Sequence, residues 1–264
     1  MSANQDYLNM HNKITETVVE KAKNIAVDLE VDSAKLQELV DGVTPITSVV
    51  NVPIDKDEFL ALAEEITNHI STHQPQLSEV VQAIIKTLKT TDRLDEFVTA
   101  SKKLDLDFFV EFGEEHNINP SITQFLGEMA YRSYAIAFAK LVLQDIDLAN
   151  YRNNLCPVCG EKVRIMSAHG DDKREACCTR CDTVWELNPL QCPHCKNDDH
   201  EKLHYIKAGA DEGRKVYACN VCKEYVKQID AKDFMNKPSH FIVDLETIYL
   251  DMLAAQQGYG AKVK

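Results

Sequence analysis

Nine cysteines are the residues of this sequence best suited to chemistry, and all of them lie between positions 156 and 222. Eight of them form four Cys-x-x-Cys pairs: Cys156/Cys159, Cys178/Cys181, Cys192/Cys195 and Cys219/Cys222. Such a turn places two sulfurs on one side of a tight loop, where both can bind one metal ion at about 2.3 Å. The four pairs therefore predict two four-cysteine metal sites.

The separations between the pairs favour a sequential arrangement, first pair with second and third with fourth. Between Cys159 and Cys178 lie 18 residues, and between Cys195 and Cys219 lie 23, which in each case suffices for two short strands and a turn. Each site would then belong to a zinc-ribbon or rubredoxin-like module. An interlaced arrangement, first pair with third and second with fourth, is the alternative.

The residue types leave the metal open between iron and zinc, because a tetrahedron of sulfurs holds either ion. A glycine after the second cysteine favours the sharp turn, but only Gly160 provides one. The equivalent positions hold Asp182, Lys196 and Lys223, which are compatible with both metals. The predicted cofactors are two metal ions, iron or zinc.

Other residues near the pairs are weaker candidates. Cys177 has the wrong spacing to Cys181, so we expect it to be a spectator. His194, His200 and His204 are alternative ligands, although four cysteines per site make hydrogen-bonded or exposed histidines the simpler expectation. Trp185 is expected to pack over the first metal site.

No other motif in the sequence indicates catalysis. A thioredoxin-like dithiol needs one Cys-x-x-Cys at a strand-to-helix junction, and no such context surrounds these pairs. No Ser-His-Asp order, phosphate loop or dinucleotide glycine motif is present. The sequence therefore predicts a protein that is not an enzyme.

Charge and hydropathy limit the partners. The formal net charge of −13 falls on residues 1–150, which hold 25 acidic and 12 basic residues, whereas residues 151–264 hold 17 of each. Because phosphate contacts need clustered basic side chains, this distribution argues against nucleic-acid binding. No stretch approaches the roughly 18 apolar residues of a membrane span. The first 13 residues are polar, so we expect a cytoplasmic protein with reduced cysteines.

The elements that must position the cysteines fall into an α plus small-β fold class. Apolar residues at spacings of three and four predict an all-α helical domain over residues 1–152. Its best-marked helix starts at Asn119-Pro120-Ser121, an N-cap followed by proline, and is expected to reach about Asn150. Two tandem four-cysteine modules are predicted at 153–190 and 191–232, with short strands at 163–166, 184–187, 204–207 and 215–218. A C-terminal helix follows at 238–258.

Together these motifs resemble the formate dehydrogenase accessory proteins of the FdhE type. The resemblance covers about residues 153–260 and rests on Cys156-Pro-Val-Cys-Gly160, Cys178-Thr-Arg-Cys-Asp-Thr-Val-Trp185, Cys192-Pro-His-Cys195, Cys219-Asn-Val-Cys-Lys-Glu-Tyr-Val-Lys-Gln-Ile-Asp230 and the closing helix from Asp244 to Tyr259. In the first half the resemblance is limited to the presence of an α domain ahead of the cysteines.

The resemblance implies a cytoplasmic maturation factor that binds the catalytic subunit of a molybdenum- or tungsten-dependent formate dehydrogenase. It also implies that the eight paired cysteines carry iron or zinc. Two other functions are compatible with the residues. One is a rubredoxin-like iron electron carrier, and the weaker one is a zinc-ribbon nucleic-acid-binding protein.

Overall fold

A computed structural model describes residues 2–27, 31–169, 173–209 and 213–260. The helices, in chain order, are α1 (Ser2–Asn24), α2 (Ser33–Asp41), α3 (Ile46–Val49), α4 (Lys56–His73), α5 (Ser78–Thr90), α6 (Leu94–Lys103), α7 (Leu106–His116), α8 (Pro120–Val142), α9 (His240–Glu246) and α10 (Ile248–Gln256). The strands are β1 (Ile165–Ala168), β2 (Arg174–Cys177), β3 (Val184–Leu187), β4 (Leu203–Lys207), β5 (Arg214–Cys219) and β6 (Tyr225–Asp230). The predicted class, helices followed by a small sheet and C-terminal helices, is confirmed.

The chain divides into two compact units. One comprises Met1–Asp28 and Val52–Phe138, and the other comprises Leu29–Asn51 and Ala139–Lys264. This division differs from a boundary at residue 152, because residues 29–51 and 139–152 group with the cysteines. Contacts distant in sequence explain the grouping: Gln37 Oε1 accepts a hydrogen bond from the Asp147 amide at 2.7 Å.

The first unit is a helical bundle with an aromatic core. Helix α4 packs against α1, α5 and α6. Phe59, Phe97 and Phe109 are fully or almost fully buried, and the Phe97 ring lies edge-on to the other two at 6.2 and 5.6 Å between centroids. Such edge-to-face pairs add to the stabilisation that burial of the rings already provides.

Helix α8 begins as its sequence predicts but ends earlier. Asn119 Oδ1 accepts a hydrogen bond from the Ile122 amide at 3.0 Å, which confirms the N-cap. The helix ends at Val142 rather than near Asn150. The last turn tightens there, since the amides of Gln144 and Asp145 donate to the carbonyl oxygens of Leu141 and Val142, three residues earlier, at 3.1 Å each.

The second unit contains one six-stranded sheet with strand order β3-β2-β1-β6-β5-β4. Each cysteine module contributes an antiparallel three-stranded meander, β1 to β3 from the first module and β4 to β6 from the second. The parallel pair of β1 and β6 joins the two meanders, with Ile165 opposite Lys227. The modules are therefore tandem, as predicted, but they share a single sheet.

Helices α9 and α10 pack on this sheet and share its hydrophobic core. Val243, Leu250 and Ala254 are buried in one cluster with the sheet residues Ile165 and Val216. Burial of such apolar surface contributes roughly 25 cal/mol per Å². The cysteine region thus has a hydrophobic core only in combination with the C-terminal helices.

The C-terminal helix predicted at 238–258 is two helices that meet at Thr247. The carbonyl oxygen of Asp244 explains the break, because it accepts hydrogen bonds from Lys227 Nζ at 2.8 Å and from Thr247 Oγ1 at 3.2 Å. In a continuous helix this oxygen would instead accept a bond from the amide of Ile248.

A buried ion cluster ties β6 to these helices. Lys227 is fully buried, and its ammonium group lies 2.7 Å from a carboxylate oxygen of Asp244 and 2.7 Å from one of Asp251. Arg164 also pairs with Asp244 at 2.8 Å, and the Tyr225 hydroxyl donates to Asp251 at 2.8 Å. Each buried charge is therefore paired, as burial in a poorly solvated interior requires.

No helix within the described part of the chain is long and apolar enough to cross a membrane.

Candidate metal centres

The four Cys-x-x-Cys loops have the same backbone geometry. In each loop the amide of the first cysteine donates to the carbonyl oxygen five residues later, at 2.8 to 3.0 Å. The donor and acceptor pairs are Cys156 with Glu161, Cys178 with Thr183, Cys192 with Asn197, and Cys219 with Glu224. The chain thus builds four equivalent knuckles, each of which presents two sulfurs on one side.

The residue after the second cysteine has a positive φ in every knuckle. These residues are Gly160 (76°), Asp182 (59°), Lys196 (60°) and Lys223 (59°). Three of the four adopt the left-handed conformation although they are not glycine, which costs roughly 1–2 kcal/mol each. At Gly160 a Cβ atom would also lie 3.1 Å from Cγ of Pro45, which explains why this knuckle alone has glycine.

The first knuckle and the second form one sulfur cluster, the first site. The Sγ atoms of Cys156 and Cys181 are 3.5 Å apart, and those of Cys159 and Cys178 are also 3.5 Å apart. All four sulfurs lie within 4.8 Å of one another. A tetrahedral ion with metal–sulfur bonds of about 2.3 Å has sulfurs about 3.8 Å apart, so the cluster has the size of one ion.

The third knuckle and the fourth form the second site in the same way. The Sγ atoms of Cys192 and Cys222 are 3.7 Å apart, as are those of Cys195 and Cys219. The structure therefore brings the eight cysteines together in sequential pairs and not in the interlaced arrangement. Both groups fit a single ion bound by four thiolates.

At the first site the surroundings lower the pKa of one thiol, Cys181, and raise those of Cys156, chiefly by burial, and Cys159, chiefly through the neighbouring cysteines. Burial by itself raises the pKa of the Cys181 thiol, but hydrogen bonds from the neighbouring cysteines and the Thr183 hydroxyl hold that pKa well below its ordinary value. The Arg180 amide also points at Cys178 Sγ, at 3.4 Å. Amide and hydroxyl donors of this kind stabilise negatively charged sulfur.

Cys177 belongs to neither site. Its side chain lies in the hydrophobic cluster beneath α9 and α10, where it is 2% exposed. Burial raises the pKa of its thiol to about 12, so it remains protonated at neutral pH. Cys177 therefore packs as a small apolar residue.

Two segments distant in sequence cover the first site. The amides of Ile46 and Thr47, at the start of α3, donate to the carbonyl oxygens of Pro157 and Val158 in the first knuckle, at 3.0 and 2.9 Å. At the second knuckle, Asp182 Oδ1 accepts hydrogen bonds from the Ser239 hydroxyl at 2.7 Å and from the His240 amide at 3.1 Å. His240 Nδ1 also lies 3.2 Å from the carbonyl oxygen of Cys178.

The second site is covered at its fourth knuckle by the end of the C-terminal segment. The Gly260 amide donates to the carbonyl oxygen of Lys223 at 2.9 Å, and the Tyr259 hydroxyl donates to Asn220 Oδ1 at 2.7 Å. The third knuckle instead contacts the sheet, since His194 Nε2 lies 3.1 Å from the carbonyl oxygen of Tyr225 at the start of β6.

Neither cysteine group includes a histidine among the residues that the structure describes. His194 bonds to backbone as above, His204 Nε2 lies 3.1 Å from the Tyr259 hydroxyl, and His200 is exposed in a short 3₁₀ turn. Trp185 is buried and its indole N–H donates to the carbonyl oxygen of Asn153 at 2.8 Å.

Sequence reasoning missed the covering segments. Residues 41–53 contain Gly42, Pro45 and Pro53, which indicate a loop, yet four of them form α3 on the first knuckle. A signal was present in Pro45, a residue suited to the start of a helix. Tyr259 carried no signal of its own, because its role depends on Asn220 and Lys223.

No protein-family model matches this sequence, and no curated protein matches it significantly. The chain is similar in structure to the FdhE protein from Pseudomonas aeruginosa, with a TM-score of 0.61 and 15% sequence identity. The likeness covers 96% of this chain and 93% of that chain. The chain therefore has an FdhE-type fold, as its cysteine motifs predicted.

Proposed function

We propose that this chain is a cytoplasmic, non-enzymatic accessory protein for a formate dehydrogenase or a related molybdenum or tungsten enzyme. It binds the catalytic subunit of that enzyme and assists its assembly. The observation that carries the proposal is the FdhE-type fold, which extends over 96% of the chain. The sequential four-cysteine groups add to this support, because they coincide with the motifs on which the sequence resemblance rests.

Each cysteine group is proposed to bind one iron or zinc ion through its four thiolates. The ion would cross-link two knuckles that the small core of the sheet holds only weakly by itself, and such a bond contributes directly to folding. The ligands are Cys156, Cys159, Cys178 and Cys181 in the first site and Cys192, Cys195, Cys219 and Cys222 in the second.

Affinity purification tests the partner. An affinity-tagged copy of the chain, expressed in its native organism under formate-oxidising conditions, is expected to recover a formate dehydrogenase catalytic subunit. A Cys178→Ser variant provides the control, since loss of a proposed ligand should disturb the second unit and reduce the recovery. Recovery of no molybdenum or tungsten enzyme by the intact chain would overturn the proposed partner.

Metal analysis tests the sites independently of the partner. Protein purified without oxygen is expected to contain two ions of iron or zinc per chain, and Cys178→Ser or Cys219→Ser should each lose one. Retention of both ions by either variant would show that the ligands are misassigned.

An electron carrier is the second candidate function, and the exposure of Cys195 favours it. An exposed sulfur ligand gives a redox partner close access to the ion. This function requires iron, with a visible thiolate-to-iron absorption that disappears on reduction. A colourless protein with stoichiometric zinc excludes it.

A further inference from the structure

The two sites differ in how far their sulfurs are withdrawn from solvent. In the first site Cys156, Cys178 and Cys181 are 0–2% exposed, and Cys159 is half-buried. In the second site Cys192 and Cys219 are equally buried, but Cys222 is half-buried and Cys195 is exposed. An incoming ligand can therefore reach one corner of the second site without any change in the fold.

The cover over the knuckles follows the same difference. Both knuckles of the first site bond to separate segments, through Ile46 and Thr47 on one side and Ser239 and His240 on the other. Exposure of the three buried sulfurs, those of Cys156, Cys178 and Cys181, requires these segments to separate from the knuckles. Such local opening carries its own free-energy cost, which slows any reaction that depends on it.

At the second site the cover protects only one knuckle. Tyr259 and Gly260 lie against the fourth knuckle, whereas the bond from His194 to Tyr225 anchors the inner side of the third. Lys196, which follows Cys195, is exposed. The outer side of the third knuckle thus presents Cys195 directly to solvent.

We propose that the second site exchanges its metal ion with thiol or aminocarboxylate ligands in solution, whereas the first site is a closed structural site. The inference rests on the metal binding proposed above. In the exchange an incoming thiol bonds to the ion through sulfur, the bond from the ion to Cys195 breaks, and the proton of the incoming thiol passes to the Cys195 sulfur. Three further incoming thiols replace Cys192, Cys219 and Cys222 in the same way, each passing its proton to the departing cysteine sulfur, and no electrons are transferred. With an aminocarboxylate, its amine and carboxylate groups bond to the ion instead, and the cysteine sulfurs take their protons from its ammonium groups or from water.

Chelator competition tests the proposal on the full chain loaded with zinc. Excess chromogenic aminocarboxylate or pyridine-based chelator is expected to remove one ion per chain at least ten times faster than the other. A tenfold difference corresponds to about 1.4 kcal/mol in activation free energy. Trp185 is the only tryptophan, and it lies in the first module. Its fluorescence should stay constant during the fast phase and change during the slow one.

Cys159 and Cys195 are the second cysteines of the first knuckle in each module, so their serine variants are a matched pair. Cys195→Ser is expected to leave one ion that is released only slowly, and Cys159→Ser to leave one that is released only rapidly. If either variant fails to fold, brief alkylation of the wild-type protein during the fast phase, followed by mass spectrometry, gives the same answer. Modification is expected at Cys195 and Cys222 and not at Cys156 or Cys181.

Equal release rates, a Trp185 signal in the first phase, or early alkylation of Cys156 would overturn the inference. Those results would leave the proposed metal binding intact, since two ions would still have been released. A protein that holds no metal would instead contradict the proposed sites themselves.

Discussion

The buried ion cluster at Lys227 allows a quantitative test of how the sheet holds its C-terminal helices. In Lys227→Met the side chain keeps its approximate length but loses its charge. Three contacts disappear: an ion pair with the Asp244 carboxylate at 2.7 Å, a hydrogen-bonded ion pair with the Asp251 carboxylate at 2.7 Å, and a hydrogen bond to the Asp244 carbonyl at 2.8 Å. Two aspartates then lose their shared cation.

The structure sets the expected magnitude. Removal of one partner from a buried ion pair costs about 3–5 kcal/mol, because the remaining charge is left uncompensated. Asp244 keeps its bond to Arg164, and Asp251 keeps its bond from Tyr225 and is 28% exposed at its side chain. We therefore expect the lower end of the range, about 3 kcal/mol, which is roughly a hundredfold change in the folding equilibrium.

The assay is urea denaturation of the metal-loaded protein, followed by far-UV circular dichroism and by Trp185 fluorescence. Lys232→Met provides the control. Its ammonium lies 3.1 Å from Asp230, but the side chain is 70% exposed, so the expected cost is below about 0.5 kcal/mol. The combined Lys227→Met, Asp251→Asn variant should recover about 1 kcal/mol or more, because it removes the negative charge of Asp251, whose remaining bond comes from the neutral Tyr225 hydroxyl.

A cost below about 1 kcal/mol for Lys227→Met, or a cost equal to that of the control, would refute this reasoning. Such a result would mean that the aspartates are solvated, or form an ion pair with another cation, when the lysine is absent. The helices α9 and α10 would then depend on apolar contacts alone.

Three further predictions concern other residues. Gly160→Ala should destabilise the second unit by about 1–2 kcal/mol in thermal unfolding, because φ is +76° and Pro45 crowds the new methyl group; an unchanged midpoint would contradict the strain. Lys196→Gly should stabilise it by about 0.5 kcal/mol by relieving a φ of +60°. Burial lowers the pKa of His11 from 6.5 to about 4. Because the unfolded chain binds this proton more readily than the folded protein, the stability that the neutral His11 provides is intact above pH 6.5 and is lost as the pH falls towards 4. The free energy of unfolding at pH 5 should therefore be about 2 kcal/mol below that at pH 7. In His11→Phe, which can pack on Phe125, urea denaturation should show no such loss; an unchanged pH dependence would assign it to other groups.

The features predictable from the sequence are those set by local spacing. The Cys-x-x-Cys turns fix two sulfurs within four residues, and the lengths between them favour the sequential sites. Asn119 and Pro120 mark the start of α8 because capping depends on neighbouring residues alone. The same holds for β3, whose predicted limits of 184–187 match the structure.

The remaining features depend on contacts between distant residues. The break at Thr247 arises because Lys227, twenty residues earlier, binds the carbonyl oxygen of Asp244. Strand β2, with the sequence Arg-Glu-Ala-Cys, has no β-branched residue and is a strand because it pairs on both sides with β1 and β3. The grouping of residues 29–51 with the cysteines likewise depends on Ile46 and Thr47, whose partners lie more than a hundred residues away.

The shared sheet also has a consequence for how the chain is organised as a repeat. Strand β4 occupies the same place in its module as β1, and β3 occupies the same place as β6. The two modules therefore pack head to tail, and the stability of each includes a nearest-neighbour term from the β1–β6 interface, as in a solenoid. The two edge strands, β3 and β4, thus correspond to β6 and β1, the strands that pair in parallel where the modules meet. Glu186 in β3 and Lys207 at the end of β4 place charges there, which discourages addition of a third unit.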